Sequence, residues 1–178
     1  MTLVDSAPYQ NLILTGPMGV GKTTIGRGVA QRLKADFYDL ENEILAREGQ
    51  STDEIRTLFG EARLKALEAS AIRDLTLRRK AVLSIGGTAM LDDTNRVRLV
   101  ESGPVLCLTC ALNEILRRMH AARGAWFHSP ANRGILLSHL KRELRVTALD
   151  LSQLDTSRLA VEDTIAAVVE FWLNHAMV

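Results

Sequence analysis

Short apolar runs alternate along the chain with longer segments in which apolar residues recur at helical spacing. The short runs predict five strands, at 11–15, 37–40, 81–85, 105–109 and about 152–156. The longer segments predict helices at 22–34, 41–48, 52–59, 61–79, 92–101, 112–121, 135–148 and 161–175. Ser51 followed by Glu54, and Asp92 ahead of an apolar run, are typical helix starts. This order favours an α/β fold in which helices flank a parallel sheet.

One segment, 121–134, lacks either period. Gly124, Trp126, Phe127, Pro130 and Gly134 crowd together there, and we predict a long loop. An exposed Trp-Phe pair is unfavourable unless it closes over something, so the loop is a candidate lid; the alternative is a packed surface loop.

Composition limits the function classes. The 178 residues are 47% hydrophobic and 24% charged, with a net charge of +1, which suits one domain with a packed core. This charge favours neither a nucleic-acid partner nor an anionic membrane surface. No apolar run reaches a membrane-spanning length, and the N-terminus, with Asp5 and Pro8, lacks a signal-peptide layout, so we expect a cytoplasmic protein.

The remaining side chains of interest have ordinary predicted roles. Cys107 and Cys110 fall in an apolar run and are expected to be buried thiols rather than a redox or zinc pair. The histidines are expected on the surface or in the lid: His120, His128, His139 and His175. The apolar side of the last helix predicts packing against the core, with a dimer interface as the alternative. We accordingly expect a monomer or a homodimer.

The strongest chemical signal lies between the first strand and the first helix. Glycines at 16, 19 and 21 precede Lys22 and Thr23, the spacing of a loop that wraps backbone N–H groups around a polyphosphate. The lysine would reach the terminal phosphates and the threonine hydroxyl would bind Mg²⁺. The predicted nucleotide-binding residues of this loop are Gly16, Met18, Gly19, Val20, Gly21, Lys22, Thr23 and Thr24. A glycine-rich turn beside a surface lysine is the alternative.

Downstream residues narrow the class. The chain continues with Asp39-Leu40-Glu41, Ile44, Gly49, Ser51-Thr52, Ile55, Phe59-Gly60-Glu61, Leu64-Lys65, Glu68 and Ile85-Gly86-Gly87. This order and spacing resemble the shikimate kinase family over nearly the whole chain, so we expect a single domain of this kind over 1–178. The resemblance implies a three-layer P-loop kinase fold with five parallel strands and a mobile lid. It also implies transfer of the γ-phosphate of Mg-ATP to a hydroxyl group of a small metabolite, with Arg118 against the adenine and Arg158 in the segment that borders it.

The metal is expected to depend on few ligands. The strands ending at Ile85 and Thr109 do not close with an aspartate, so Mg²⁺ would be held by Thr23 and, through water, by Asp39. The alternative for Asp39 is a helix N-cap.

The acceptor side departs from the family pattern. Glu41 replaces a second aspartate, Lys65 an arginine and Thr88 the third glycine of a triple-glycine turn. A later family arginine falls on Thr147, with Arg145 as a substitute. The resemblance therefore gives Glu41, Lys65, Gly86, Gly87, Thr88 and Arg145 as acceptor-binding candidates. An ammonium group cannot reproduce the two parallel hydrogen bonds that a guanidinium makes to a carboxylate. The sequence therefore predicts that the family's arginine site for the acceptor carboxylate is missing.

The lid arginine that contacts the transferring phosphate is matched best by Arg133, with Arg123 as the competing candidate. The predicted catalytic residues are then Lys22, Asp39, Glu41 and Arg133. The predicted function is an ATP-dependent kinase of a small hydroxylated metabolite, either shikimate or a relative. A nucleotide kinase of the same fold group and a non-catalytic ATP-binding protein remain as alternatives.

Overall fold

The computed structural model describes residues 6–177; residues 1–5, including the Asp5 used above, lie outside the described part, as does residue 178. Within the described part the strands form one parallel sheet in the order β2-β3-β1-β4-β5. The strands are β1 (Leu12–Thr15), β2 (Asp36–Asp39), β3 (Ala81–Ser84), β4 (Val105–Thr109) and β5 (Ser152–Asp155). The five predicted strands are confirmed to within one residue at each end.

Across residues 6–177 the α-helices are α1 (Lys22–Leu33), α2 (Leu40–Glu48), α3 (Thr52–Phe59), α4 (Glu61–Leu75), α5 (Gly87–Leu91), α6 (Asp93–Ser102), α7 (Leu112–Arg123), α8 (Pro130–Glu143) and α9 (Val161–His175). Two 3-10 helices, Gly124–His128 and Leu144–Ala148, precede and follow α8. The capping box of Ser51 and Glu54 and the N-cap of Asp92 are confirmed.

The sheet has a hydrophobic core on each face. β1 and β3 are buried along their whole length, as parallel strands covered on both faces should be. One core lies under α1, α7 and α9, and the other under α2, α4 and α6. Val168 and Trp172 of α9 are fully buried in the first core, which confirms core packing for that helix.

The sheet also sets the position of a crevice. From the central strand β1, the chain builds β2 and β3 on one side and β4 and β5 on the other. In open α/β sheets, ligands bind beyond the carboxyl ends of the strands where the strand order reverses. The loop after β1 and the residues after β2 and β3 therefore face the same crevice.

The prediction that residues 121–134 form a long loop is wrong, because most of this segment is helical. α7 continues to Arg123 and ends at Gly124, whose φ of 51° suits glycine. The 3-10 helix follows, and α8 begins at Pro130 with Ser129 as its N-cap. The turn-forming residues that predicted a loop are thus the end and start signals of helices.

Two further boundaries differ. α4 ends at Leu75, not at residue 79, because the chain turns after Thr76 and Lys80 adopts a left-handed φ of 55° before β3. The short helix α5 was missed, since Gly86 and Gly87 predict a turn. Cys107 is buried and Cys110 half-buried, and both are free thiols. Within residues 6–177 no helix combines the length and apolar character needed to cross a membrane.

Candidate active site

The phosphate loop lies between β1 and α1. Gly16, Gly19 and Gly21 have φ values of 139°, 81° and 95°, a region that disfavours other residues. A Cβ on Gly16 would collide with the carbonyl oxygen of Leu108, so this position accepts only glycine. No side chain caps α1, and the amide groups at its start are open to a ligand. The local geometry is that of an anion-binding nest at a helix N-terminus.

Lys22 lies across this loop. Its Nζ donates to the carbonyl oxygens of Gly16 at 2.8 Å and Pro17 at 3.1 Å. The ammonium group therefore lies above the nest without a carboxylate partner among the described residues. Met18, Gly19, Gly21, Lys22, Thr23 and Thr24 line a cavity of about 600 Å³. Val20 lines an adjoining depression instead.

The end of β2 brings two carboxylates to the same cavity. Asp39 lines it and also caps α2, since its Oδ1 accepts from the Asn42 N–H at 3.1 Å. Asp39 can therefore cap α2 and still face the cavity, so the N-cap and metal-binding interpretations are compatible. Glu41 follows in the first turn of α2. Burial raises the pKa of Glu41, and the charges of Asp39 and Glu143 add to the rise against Lys22.

The end of β3 forms another wall. Gly86 and Thr88 line the cavity, whereas Gly87 packs behind it, where a Cβ would lie 2.9 Å from the carbonyl oxygen of Glu143. Ser84, paired with Asp39 in the sheet register, also lines the cavity. Its buried hydroxyl has no hydrogen-bond partner among the described residues.

Glu143, at the end of α8, was missed by the sequence analysis. Its side chain is buried and its Oε2 accepts from the Met18 N–H at 2.7 Å, so α8 touches the phosphate loop directly. Burial raises the pKa of Glu143, while Lys22 and the Met18 N–H oppose the rise. The stretch Lys141-Arg142-Glu143 resembles a solvent-exposed helix face, so no local signal identifies it.

Arg56 and His139 were also missed as site residues. Both line the cavity, and Arg56 Nη1 lies 2.8 Å from His139 Nε2. His139 is half-buried on α8, as expected of a lid residue, but it faces inward. Glu68 of α4 lines the same wall, and burial raises its pKa to about 7.

Three predicted site residues lie elsewhere. Lys65, Arg133 and Arg145 are exposed and do not line the cavity. On α4 the inner side carries Leu64 and Glu68, four residues apart, so Lys65 points away from it. On α8 the cavity side carries residues 135, 139 and 143, which places Arg133 on the other side.

The end of α7, in the segment expected to be a lid, contributes Arg123 to the cavity. Its guanidinium lies 4.8 Å from the ring centre of Trp126, which also lines the cavity. At the adjoining depression, Arg118 Nη2 donates to the Thr156 carbonyl at 3.2 Å and its Nε donates to Glu114 at 3.0 Å. Arg118 and Arg158 both line this depression, so the two predicted adenine-side residues are brought together.

A phosphate nest, a lysine above it and a carboxylate across one covered cavity define a P-loop phosphotransferase, an ATP-dependent kinase of small molecules. A shikimate kinase family model matches residues 18–172. A shikimate kinase of Geobacter sulfurreducens is 38% identical over 168 residues, 93% of this chain and 92% of its own length. That of Geobacter metallireducens is 33% identical over 173 residues, 96% and 97% of the two chains. The chain belongs to the shikimate kinase family.

Solved structures agree. A shikimate kinase from Acinetobacter baumannii, solved in complex with shikimate, superposes with a TM-score of 0.78 at 28% identity, covering 93% of this chain and 94% of that one. One from Bacteroides thetaiotaomicron gives 0.77 at 23% identity over 91% and 97% of the two chains, and supports the fold. The predicted five-stranded parallel P-loop kinase fold is confirmed, as are the expected family and enzyme class.

Proposed function

We propose that this protein transfers the γ-phosphoryl group of Mg-ATP to the 3-hydroxyl group of shikimate. The observation that carries the proposal is that the phosphate loop and the Glu41 carboxylate line the same cavity. Membership of the shikimate kinase family supports the reaction, and the relative bound to shikimate supports the acceptor.

The triphosphate fits the loop. A Cβ on Gly19 would come within 3.0 Å of the Met119 side chain, so bare backbone is required beside the nest. The amide groups from Gly19 to Thr24 would bind the phosphates together with the α1 N-terminus. Lys22 would exchange its two carbonyl partners for phosphate oxygens. Arg118 and Arg158 would flank the adenine.

The residues present also fit Mg²⁺. No group of three or more carboxylate, histidine or cysteine side chains at metal-ligand spacing occurs in residues 6–177, so the ion would depend on Thr23, on Asp39 through water, and on phosphate oxygens. The unpartnered Ser84 hydroxyl at the same wall supports a hydrated ion there. Bound Mg²⁺ neutralises negative charge on the phosphate oxygens.

Glu41 is proposed to orient the acceptor hydroxyl and accept its proton. The hydroxyl oxygen forms a bond to the γ-phosphorus as the bond from phosphorus to the bridging oxygen breaks, and ADP leaves with that electron pair. The raised pKa makes Glu41 a stronger base than an ordinary glutamate. Lys22 and Arg123, rather than Arg133, would stabilise the charge on the transferring phosphoryl group.

The test is a coupled ADP-release assay with shikimate, quinate-like cyclitols, sugars and nucleoside monophosphates, with the product position assigned by NMR. We expect turnover with shikimate and a 3-phosphate product. Transfer to AMP or CMP in preference to shikimate would replace the proposal with a nucleotide kinase. ATP binding without transfer to any acceptor would replace it with a non-catalytic ATP-binding protein.

A further inference from the structure

The cations around the cavity divide by position. Four cationic side chains line it in the described part of the chain: Lys22, Arg56, Arg118 and Arg123. Lys22 lies on the phosphate loop, and Arg118 and Arg123 belong to α7 at the nucleotide and lid side. Arg56 is the one contributed by α3, on the wall that also carries Glu68.

The charge of Arg56 acts on two carboxyl groups that line the cavity. Burial raises the pKa of Glu68 and of Glu143, and Arg56 is close enough to offset part of both rises. The side chain of Arg56 is only 18% exposed. A cation held this close to the cavity and this far from solvent attracts an anionic group of a bound molecule.

His139 holds one end of this guanidinium. Arginine only donates hydrogen bonds, so His139 Nε2, at 2.8 Å from Arg56 Nη1, is the acceptor and the imidazole is neutral. Burial lowers the pKa of His139, and the charge of Arg56 lowers it further, which agrees with a neutral ring. Asp53 accepts from the same Nη1 at 2.9 Å.

The Nε edge of the guanidinium faces the Glu61 carboxylate. Glu61 Oε1 lies 2.7 Å from Arg56 Nε, but the buried Nε–H has no hydrogen-bond partner among the described residues. The same holds for the Nε–H of Arg142, whose Nη1 donates to Glu61 at 3.1 Å. Arg56 Nη2, by contrast, donates no hydrogen bond to the described residues and is not buried, so it is open to an arriving carboxylate.

We infer that Arg56 binds the carboxylate of the acceptor, the role that the family pattern assigns to the position of Lys65. The inference rests on the proposed function, because it requires an acceptor that carries a carboxylate. Asp53 and Glu61 are 80% and 47% exposed, so water can replace Arg56 as their partner when the guanidinium turns to the acceptor. A guanidinium on α3 thus replaces one on α4.

The test is steady-state kinetics of Arg56→Met and Arg56→Lys against Lys65→Met, with Arg63→Met as a matched control. Arg63 is an exposed arginine of α4 outside the cavity, paired with Glu48 at 3.7 Å. We expect Arg56→Met to raise the KM for shikimate by roughly 10- to 100-fold, from the loss of a charge-assisted bidentate contact. Arg56→Lys should raise it by roughly tenfold, because a point charge remains without the fork.

The KM for ATP should stay within roughly threefold of the wild-type value in all four variants, because none of the substitutions alters the residues proposed to bind the nucleotide. Lys65→Met and Arg63→Met should retain the wild-type KM for shikimate. A folded Arg56→Met or Arg56→Lys enzyme with the wild-type KM for shikimate would overturn the inference, as would the large increase appearing in Lys65→Met instead. A wild-type enzyme that does not phosphorylate shikimate would refute the proposed function, a separate outcome.

Discussion

Glu41 carries its negative charge in unfavourable surroundings. Burial and the neighbouring carboxylates of Asp39 and Glu143 all raise its pKa, and Lys22 alone among the major influences lowers it. Such an arrangement is unfavourable for stability but useful for a base, since a raised pKa increases proton affinity. Substituting Lys22 and Glu41 one at a time therefore tests whether the first acts on the nucleotide and the second on the acceptor.

We expect Lys22→Ala to abolish turnover, because it removes the ammonium group proposed to neutralise the terminal phosphates. Glu41→Gln should lower kcat by roughly 100- to 10,000-fold, the usual range for a general base. It should leave the Kd for ATP within roughly threefold, measured by calorimetry, because the proposed contact of Glu41 is with the acceptor. A loss of ATP affinity in Glu41→Gln as large as the loss of turnover would refute this division.

Glu68, which lines the cavity from α4, makes stability depend on pH. Its folded pKa of about 7 exceeds the unfolded value of 4.5, so the folded state binds more protons between those limits. The contribution of Glu68 is fully present below the unfolded pKa and is lost as pH rises through the folded pKa. The loss amounts to at most about 3 kcal/mol. Glu68→Gln should thus reduce the fall in the free energy of unfolding between pH 5 and pH 8.

Urea denaturation at both pH values measures this effect. Glu101→Gln, which alters an exposed glutamate of α6, is the matched control and should keep the wild-type pH dependence. Glu41 and Glu143 have pKa values shifted in the same direction, so part of the dependence should persist. An unchanged pH dependence in Glu68→Gln would show that this carboxyl group titrates normally in the folded protein.

At the level of elements, α8 connects the cavity wall to the phosphate loop. Its side that faces the cavity carries Ile135 and His139, and its last residue, Glu143, accepts a hydrogen bond from the Met18 N–H. A carboxylate at this amide repels an incoming triphosphate and occupies a donor of the loop. We therefore expect ionised Glu143 to weaken triphosphate binding by charge repulsion.

Glu143→Gln should consequently bind Mg-ATP more tightly, by roughly tenfold, the effect of removing one like charge near the site. Equilibrium titration with a non-hydrolysable ATP analogue measures the change. Glu162→Gln, which neutralises an exposed glutamate of α9 whose side chain is 78% exposed, controls for net charge. Weaker nucleotide binding in Glu143→Gln would mean that the carboxylate supports the loop.

At the scale of the whole molecule, local patterns and long-range contacts explain which features were predictable. Buried strands such as β1 and β3 follow from uninterrupted apolar runs, and the phosphate loop follows from glycines and Lys22 at fixed spacing. Arg56, His139 and Glu143 had no such signal, because α3 and α8 meet across the cavity although Arg56 and His139 are 83 positions apart. The position of Lys65 could not be judged without the orientation of α4.

The conformation of the segment 121–134 was likewise not predictable from local sequence. Its expected closure can be tested on the intact protein. The chain has two tryptophans, of which Trp172 is fully buried and donates to the Gln10 carbonyl, while Trp126 is 39% exposed and lines the cavity. If α7 and α8 close over bound ligands, Trp126 loses water and Trp172 does not change its surroundings. We expect a blue shift of the fluorescence on adding shikimate with a non-hydrolysable Mg-ATP analogue, and no shift in Trp126→Phe. A constant wild-type spectrum, with saturation confirmed by calorimetry, would mean that the segment around Trp126 stays in place during binding. An equal blue shift in Trp126→Phe would instead assign the movement to the core around α9.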